Sequence, residues 1–239
     1  MFYYYGRKKQ IVRHYPPPNY DVIIEPFAGA AAYAFHHNAQ VKRVILVEKD
    51  EKVSRIWKWL INEATVQDIQ SLPDLQPGER STEFLHIIHA ATKMAFAFKK
   101  IKVTPVLARN WEISKRVFAR HLNEIKHWEI ICGDYKEAPD IEATWFIDPP
   151  YRGEPGMGYR HSSSLIDYRA LANWALSRKG EIICCEGDGA DYLPFIPLLD
   201  LKGVAGKVSK EMIFYRPGNK MRQPYLFDVY AQQENQPDG

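Results

Sequence analysis

Cysteine is scarce in this chain. Only Cys132, Cys184 and Cys185 occur, and they form neither a CxxC pair nor a zinc-ligand spacing, which argues against a disulfide framework and a structural zinc. Cys184 and Cys185 are adjacent inside an apolar run and read as buried strand thiols in a reducing cytosol. Long apolar runs are missing too. The longest reach five or six residues, far short of the ~20 that span a bilayer, so no membrane partner is expected. Met1 to Gln10 turns basic at once without an apolar stretch, so no signal peptide is expected and the cytoplasm is the expected location. Hydrophobic residues make up 46% and charged residues 26% of 239 positions, a mixture that excludes disorder and collagen-like repeats. That length fits one domain, or one domain with a modest insertion.

A large excess of one charge is also absent, but the net +3 hides an asymmetry. Residues 1–14 carry +4 through Arg7, Lys8, Lys9 and Arg13, and residues 93–127 carry +7, which leaves −8 for the rest. An acidic body with two basic segments fits a polyanion met on one face, although a solvated helix surface would look the same.

Asp21 to Glu25 is an apolar run entering Pro26-Phe27-Ala28-Gly29, followed by the small residues of a helix start. Val44 to Val47 is a second buried strand, and a helix follows with Val53, Ile56, Trp57, Leu60 and Ile61 on one face. Strand and helix alternating in this way predict an α/β fold with a parallel sheet covered on both sides. From Val66 the pattern changes to a Pro, Gly and Asp-rich loop over 71–80 and two basic helices, roughly 82–100 and 111–127. Sheet strands resume at 128–132, 143–147 and 181–185, with a helix near 167–178. Segments 207–215 and 223–230 flank Arg216-Pro-Gly-Asn219 and predict an antiparallel hairpin. The expected organisation is a catalytic domain from residues 1–64 and 128–231, a helical basic insertion at 65–127 and a polar tail at 232–239.

Two motifs sit at carboxyl ends of predicted strands, where open α/β sheets bind ligands. In Glu25-Pro-Phe-Ala-Gly29, the glycine lets backbone approach a ligand closely. Glu48 ends the second strand, the position from which an acid holds ribose hydroxyls. GxGxxG is absent, so a nucleoside without phosphate suits Glu25 and Glu48 better than a dinucleotide does. A glycine turn after a strand is more often plain topology. The stronger motif is Asp148-Pro149-Pro150-Tyr151. Two prolines fix a turn and remove two backbone donors, so carbonyls there stay free as acceptors. A carboxylate beside such a carbonyl suits a planar amine with two N–H donors, and a tyrosine can lie against a flat base.

Asp148-Pro-Pro-Tyr151 together with Phe27-Ala-Gly29 resembles the adenine-N6 DNA methyltransferases of the Dam-like class. Tyr3-Tyr-Tyr-Gly-Arg-Lys8 resembles that family's N-terminal motif, with Arg7 where the motif has a second glycine. The resemblance implies a Rossmann-like methyltransferase fold with a mostly parallel seven-stranded sheet ending in an antiparallel hairpin. It also implies S-adenosyl-L-methionine as cofactor, with Tyr4 and Lys8 enclosing it, Glu25, Phe27 and Gly29 in its turn, Glu48 on its ribose and Asp134 near its adenine. Asp148 would face both the methionyl end and the target amine. The implied partner is duplex DNA with the adenine flipped out onto Tyr151, acted on by a monomer or weak dimer without a metal.

The implied chemistry is direct transfer to a weakly nucleophilic amine, whose N–H groups Asp148 and the Pro149 carbonyl would orient. Residues 152–164 read as a lid over the pocket or an ordinary surface loop. Cytosine-C5 chemistry fails because Cys184 and Cys185 lie within a strand, and cytosine-N4 enzymes of this type more often carry serine at Asp148. RNA adenine is the harder rival, and a catalytically inactive nucleic-acid-binding module is the non-enzymatic one. His36 and His37, like His86 and His89, lack a third ligand and read as structural. Lys99, Lys100, Lys115, Arg116 and Arg120 are the expected phosphate contacts. Between residues 65 and 127 the amides are few: Gln67, Gln70, Gln76, Asn110 and Asn123. Charge without amides favours backbone contact over base readout. Methylated adenines mapped on a long random duplex should therefore share at most one or two neighbouring bases, and a strict motif of four or more bases would contradict this.

Overall fold

The computed structural model describes residues 8, 10–81, 101–202 and 208–219. The expected helix over 82–100, the strand over 223–230, the tail, Tyr4, Lys99 and Lys100 lie outside them. The expected fold class is found. Nine strands are described: β1 Val22–Glu25, β2 Arg43–Glu48, β3 Arg80–Ser81, β4 Ile101–Lys102, β5 Glu129–Cys132, β6 Ala143–Ile147, β7 Gly180–Gly187, β8 Ile196–Lys202 and β9 Val208–Arg216. Seven form one sheet in the order β5-β2-β1-β6-β7-β9-β8, and β3 pairs with β4 as a separate ribbon. The first five strands of the large sheet run parallel; β9 is antiparallel to β7 and to β8. This is a Rossmann-like α/β architecture with an antiparallel end.

The strands read as unbroken apolar runs because both sheet faces are covered. Ile23, Val44, Leu46, Phe146, Ile183 and Cys185 point into one core, which α1 (Ala32–His37) and α2 (Glu51–Lys58) cover. Ile24, Ile45, Val47, Trp145, Ile182 and Cys184 point the other way, onto the helix Tyr168–Leu176. Helix α2 gives way to a π-helical turn, Trp59–Glu63, then α3, Val66–Ser71, which opens on a Thr65–Asp68 capping box.

Two details differ from the sequence expectation. The long insertion helix, α4, is Pro105–His121 rather than 111–127. Thr104 caps it, its hydroxyl accepting the Leu107 N–H at 3.2 Å, and Pro105 fits the first turn where no N–H is needed. Trp111 of α4 packs with Leu75 and Val103 in a small third cluster, whereas Phe118 enters the first core. The second difference is the hairpin. It joins β8 to β9, so the partner of the strand near 207–215 precedes it in the chain. Pro197 hides β8 in the sequence. It is tolerated because β8 is an edge strand and its register shifts between Pro197 and Leu199. Helix α5, Tyr168–Leu176, starts at Asp167, whose carboxylate accepts the Ala170 N–H at 3.0 Å.

A buried acid fastens the segment before β1 to the sheet. Glu181 accepts from the Asn19 backbone N–H at 2.9 Å, the Asn19 amide at 2.7 Å, the Thr144 hydroxyl at 2.6 Å and the Tyr215 hydroxyl at 3.0 Å. Burial pushes this carboxyl above its ordinary range while those donors pull it back. Glu181→Ala should cost roughly 3 kcal/mol, since it leaves several buried donors unpaired. The check is a lower urea midpoint at unchanged slope; a loss below about 0.5 kcal/mol would contradict it.

Candidate active site

Strand order reverses between β1 and β6, and the crevice at such a switch point is where open α/β sheets hold ligands. Glu25, Glu48 and Asp148 end or follow β1, β2 and β6, so three acids separated by up to 123 positions meet at one end of the sheet. They line one cavity, about 1250 Å³ including its open mouth. Lys8, Phe27, Gly29, Asp134 and Pro150 line it as well. Pro149 and Tyr151 are not among its lining residues.

The turn after β1 is built by hydrogen bonds from several elements. Gly29 has φ +46°, in the left-handed region that favours glycine. Its N–H donates to Glu48 at 2.8 Å and its carbonyl accepts the Trp57 indole N–H at 2.8 Å. Glu25 accepts the Ala34 N–H at 2.6 Å and so joins the strand end to α1. Burial, against that bond, holds the Glu25 carboxyl well above its ordinary range. The other Glu48 oxygen accepts the Asp50 N–H at 2.8 Å. Burial outweighs these two donors and pushes Glu48 up to about 7. Phe27 stacks on Tyr135 with ring centres 5.3 Å apart, forming an aromatic wall. Asp134 caps the turn Tyr135–Glu137 and pairs with Lys49 at 2.9 Å.

At the inner end, Lys8 is only 6% exposed. It lies 3.1 Å from Asp148 Oδ1 and 3.2 Å from Glu211 Oε1, and it donates to the Tyr151 hydroxyl. Burial alone would lower the Lys8 pKa, but Asp148 and Glu211 raise it above its ordinary value. Burial pushes Asp148 up to about 6, with Lys8 opposing and Glu211 adding to the shift. The Tyr151 hydroxyl donates to Glu211, and its ring lies against Gly187, where a Cβ would come within 3.2 Å of the ring. On the far side the Tyr168 hydroxyl donates to the Pro150 carbonyl at 2.5 Å.

Residues 152–164 form a folded strap. It contains the 3₁₀ turn Glu154–Gly158 and leads into another, Ser163–Leu165. Tyr159, Arg160, His161 and Ser162 line the cavity, and Arg160 reaches across to Asp50 at 3.7 Å. The Arg152 N–H anchors the strap to Glu186 at 3.1 Å.

Sequence reading missed Glu211, Glu186 and Asp50. Glu211 stands two positions from Ile213 on a strand, so a charge at a core-facing position was the available signal. Of the expected phosphate contacts, Lys115 instead donates to the Leu72 carbonyl at 3.0 Å and pairs with Asp74. Lys126 caps the Leu60 and Ala64 carbonyls at 3.0 and 2.6 Å. Cys184 and Cys185 are buried, as the sequence implied. Among the described residues no group of His, Cys, Asp or Glu is placed to hold a metal ion, and no helix is long and apolar enough to cross a membrane.

A mostly parallel sheet with an antiparallel end carries an acid-lined cavity at its switch point. Residues 5–120, just under half the chain, match the family described as D12 class N6 adenine-specific DNA methyltransferase. The resemblance read from the motifs is thereby supported, the matched family being one of adenine-specific N6 methyltransferases. The matched span includes Glu25, Phe27, Gly29 and Glu48 but ends before Asp134 and Asp148. Among solved structures, the crystal structure of 23S rRNA methyltransferase ErmE matches with a TM-score of 0.41 and 11% identity, over 96% of this chain and 76% of that one. No curated protein matches the sequence.

The packing of Tyr151 on Gly187 generates a test. Gly187→Ala should push the ring by a few tenths of an ångström and lower turnover about tenfold, while stability changes by less than ~1 kcal/mol. Unchanged turnover would show that the ring position is immaterial.

Proposed function

We propose that this chain transfers a methyl group from S-adenosylmethionine to the exocyclic N6 of an adenine in duplex DNA, with the base flipped out of the stack. The observation that carries this reading is the Asp148 carboxylate, which follows β6 at the cavity wall with Lys8 on one oxygen. The donor set fits the cofactor. Both Glu48 oxygens are fixed by backbone N–H groups, and each keeps a lone pair for a ribose hydroxyl. Phe27 and Tyr135 give an apolar wall for an adenine ring, and Glu25 and Asp148 give the acidic surroundings that a sulfonium prefers.

The bound cofactor supplies a methyl group on a cationic sulfur. Everything else falls to the protein. Asp148 and the Pro149 carbonyl accept the two N–H groups of the target amine, which favours a pyramidal nitrogen and stabilises the positive charge growing on it. Lys8 fixes the rotamer of Asp148, and fixed geometry converts a bimolecular encounter into an oriented one. Tyr151 offers ring surface to the flipped base. Tyr159, Arg160, His161 and Ser162 of the strap line the cavity, and a covering segment of this kind would limit water during transfer.

Labelled S-adenosylmethionine offered with duplex DNA, single-stranded DNA and RNA, followed by nucleoside analysis, tests the reading. N6-methyladenine from duplex DNA is expected. Label found only in RNA would move the substrate to RNA, and none in any adenine would refute the assignment.

The Asp148 environment adds a pH prediction. A neutral carboxyl presents a donor where the amine needs an acceptor, so activity requires the ionised form. Because Asp148 is pushed up to about 6, kcat/KM should fall as pH drops through about 6 and level off above it. Asp148→Ala should abolish transfer with the fold intact by circular dichroism. Activity within about tenfold of wild type would remove Asp148 from the mechanism.

A further inference from the structure

We propose that Glu211 is a positioning residue for the transfer, a role that rests on the adenine-N6 reading above. It takes one of the three Lys8 donors together with the Tyr151 hydroxyl, and so keeps one Asp148 oxygen open to the amine.

An ammonium has three N–H donors and no acceptor. Lys8 meets three acceptors: Asp148 Oδ1 at 3.1 Å, Glu211 Oε1 at 3.2 Å and the Tyr151 hydroxyl. The same Glu211 oxygen accepts from the hydroxyls of Tyr151 and Tyr15, the latter at 2.5 Å. Glu211 is 2% exposed and comes from β9, the antiparallel strand, which contributes no other residue to this cluster. Without Glu211, a Lys8 donor is freed to swing onto the second Asp148 oxygen, the one an amine needs. The Tyr151 hydroxyl, whose ring also packs against Gly187 and the first core, loses the acceptor that fixes its direction.

The charges around Asp148 make the consequence directional. Lys8 faces it from the N-terminal segment, Glu211 from β9, Glu186 from β7 and Glu25 from β1. Cys185 and Tyr151 are held neutral by burial. Lys8 is thus the cation that Asp148 and Glu211 share. Removing the Glu211 charge gives Lys8 wholly to Asp148 and favours its ionised form.

Glu211→Gln preserves size and one acceptor oxygen while deleting the charge. The Asp148 titration, followed by carbon NMR in the free protein and assigned with Asp148→Asn, should move down by about one pH unit. The acid limb of kcat/KM should move with it, and kcat on the plateau should fall about tenfold. A titration that stays in place would overturn the proposal, as would a plateau kcat equal to wild type. Should circular dichroism show that Glu211→Gln does not fold, Glu211→Asp serves instead. Its carboxylate is withdrawn by one methylene, and a smaller downward shift is expected; no shift refutes the role. The NMR titration needs no turnover. A wild-type protein that methylates no adenine would therefore sink the function alone, whereas an immobile titration would sink the role of Glu211.

Discussion

A cation removed from water has to replace its hydration with acceptors from the protein, or it is not tolerated. Lys8 does so with acceptors from two distant parts of the chain, positions 148 and 151 in one turn and position 211 on β9. The N-terminal segment, the turn after β6 and the antiparallel strand β9 are thereby tied at one point. Burying one charge among these acids determines where Asp148 points and how Tyr151 is held. Breaking such a cluster by removing one partner is costly, because the remaining charges stay buried without compensation.

The sheet makes that cluster possible. Parallel strands all deliver their following turns to the same edge, so residues at the ends of β1, β2, β5 and β6 converge without any being neighbours in sequence. The turns then brace one another. Glu48 holds the Gly29 turn, Trp57 holds it from behind, and Asp134 with Lys49 closes the outer rim. The antiparallel β9 brings its side chains back over the same edge, which is how an acid at position 211 reaches a lysine at position 8.

Much of this was legible in the sequence because it is local. Buried parallel strands announce themselves as apolar runs, and Asp148-Pro-Pro-Tyr151 marks its own turn through two prolines. Glu25, Glu48 and Asp148 could be placed at strand ends by the same logic. What escaped depends on pairing across long separations. Glu211 resembles any strand acid until β7 and β9 come into register. Pro197 masked β8, since its tolerance depends on an edge position that only the complete sheet reveals. The Thr104-Pro105 start of α4 was local and readable, but the aromatic spacing from Trp111 onward drew the boundary too late. Lys115 and Lys126 counted toward a basic face, yet both turn inward onto backbone carbonyls. Formal charge summed over a segment does not say where each ammonium points.

The distribution of thiols also gives the molecule a usable chemical asymmetry. Cys184 and Cys185 are sealed in the two faces of β7 and are held protonated by burial, so neither offers a thiolate. Cys132 is exposed at the end of β5, opposite Glu48 in the register and two residues before Asp134 on the cavity wall. A maleimide fluorophore would therefore attach at a single place, beside the mouth of the cavity. Ligand entry could then be watched optically in the wild-type chain, with no engineered attachment point.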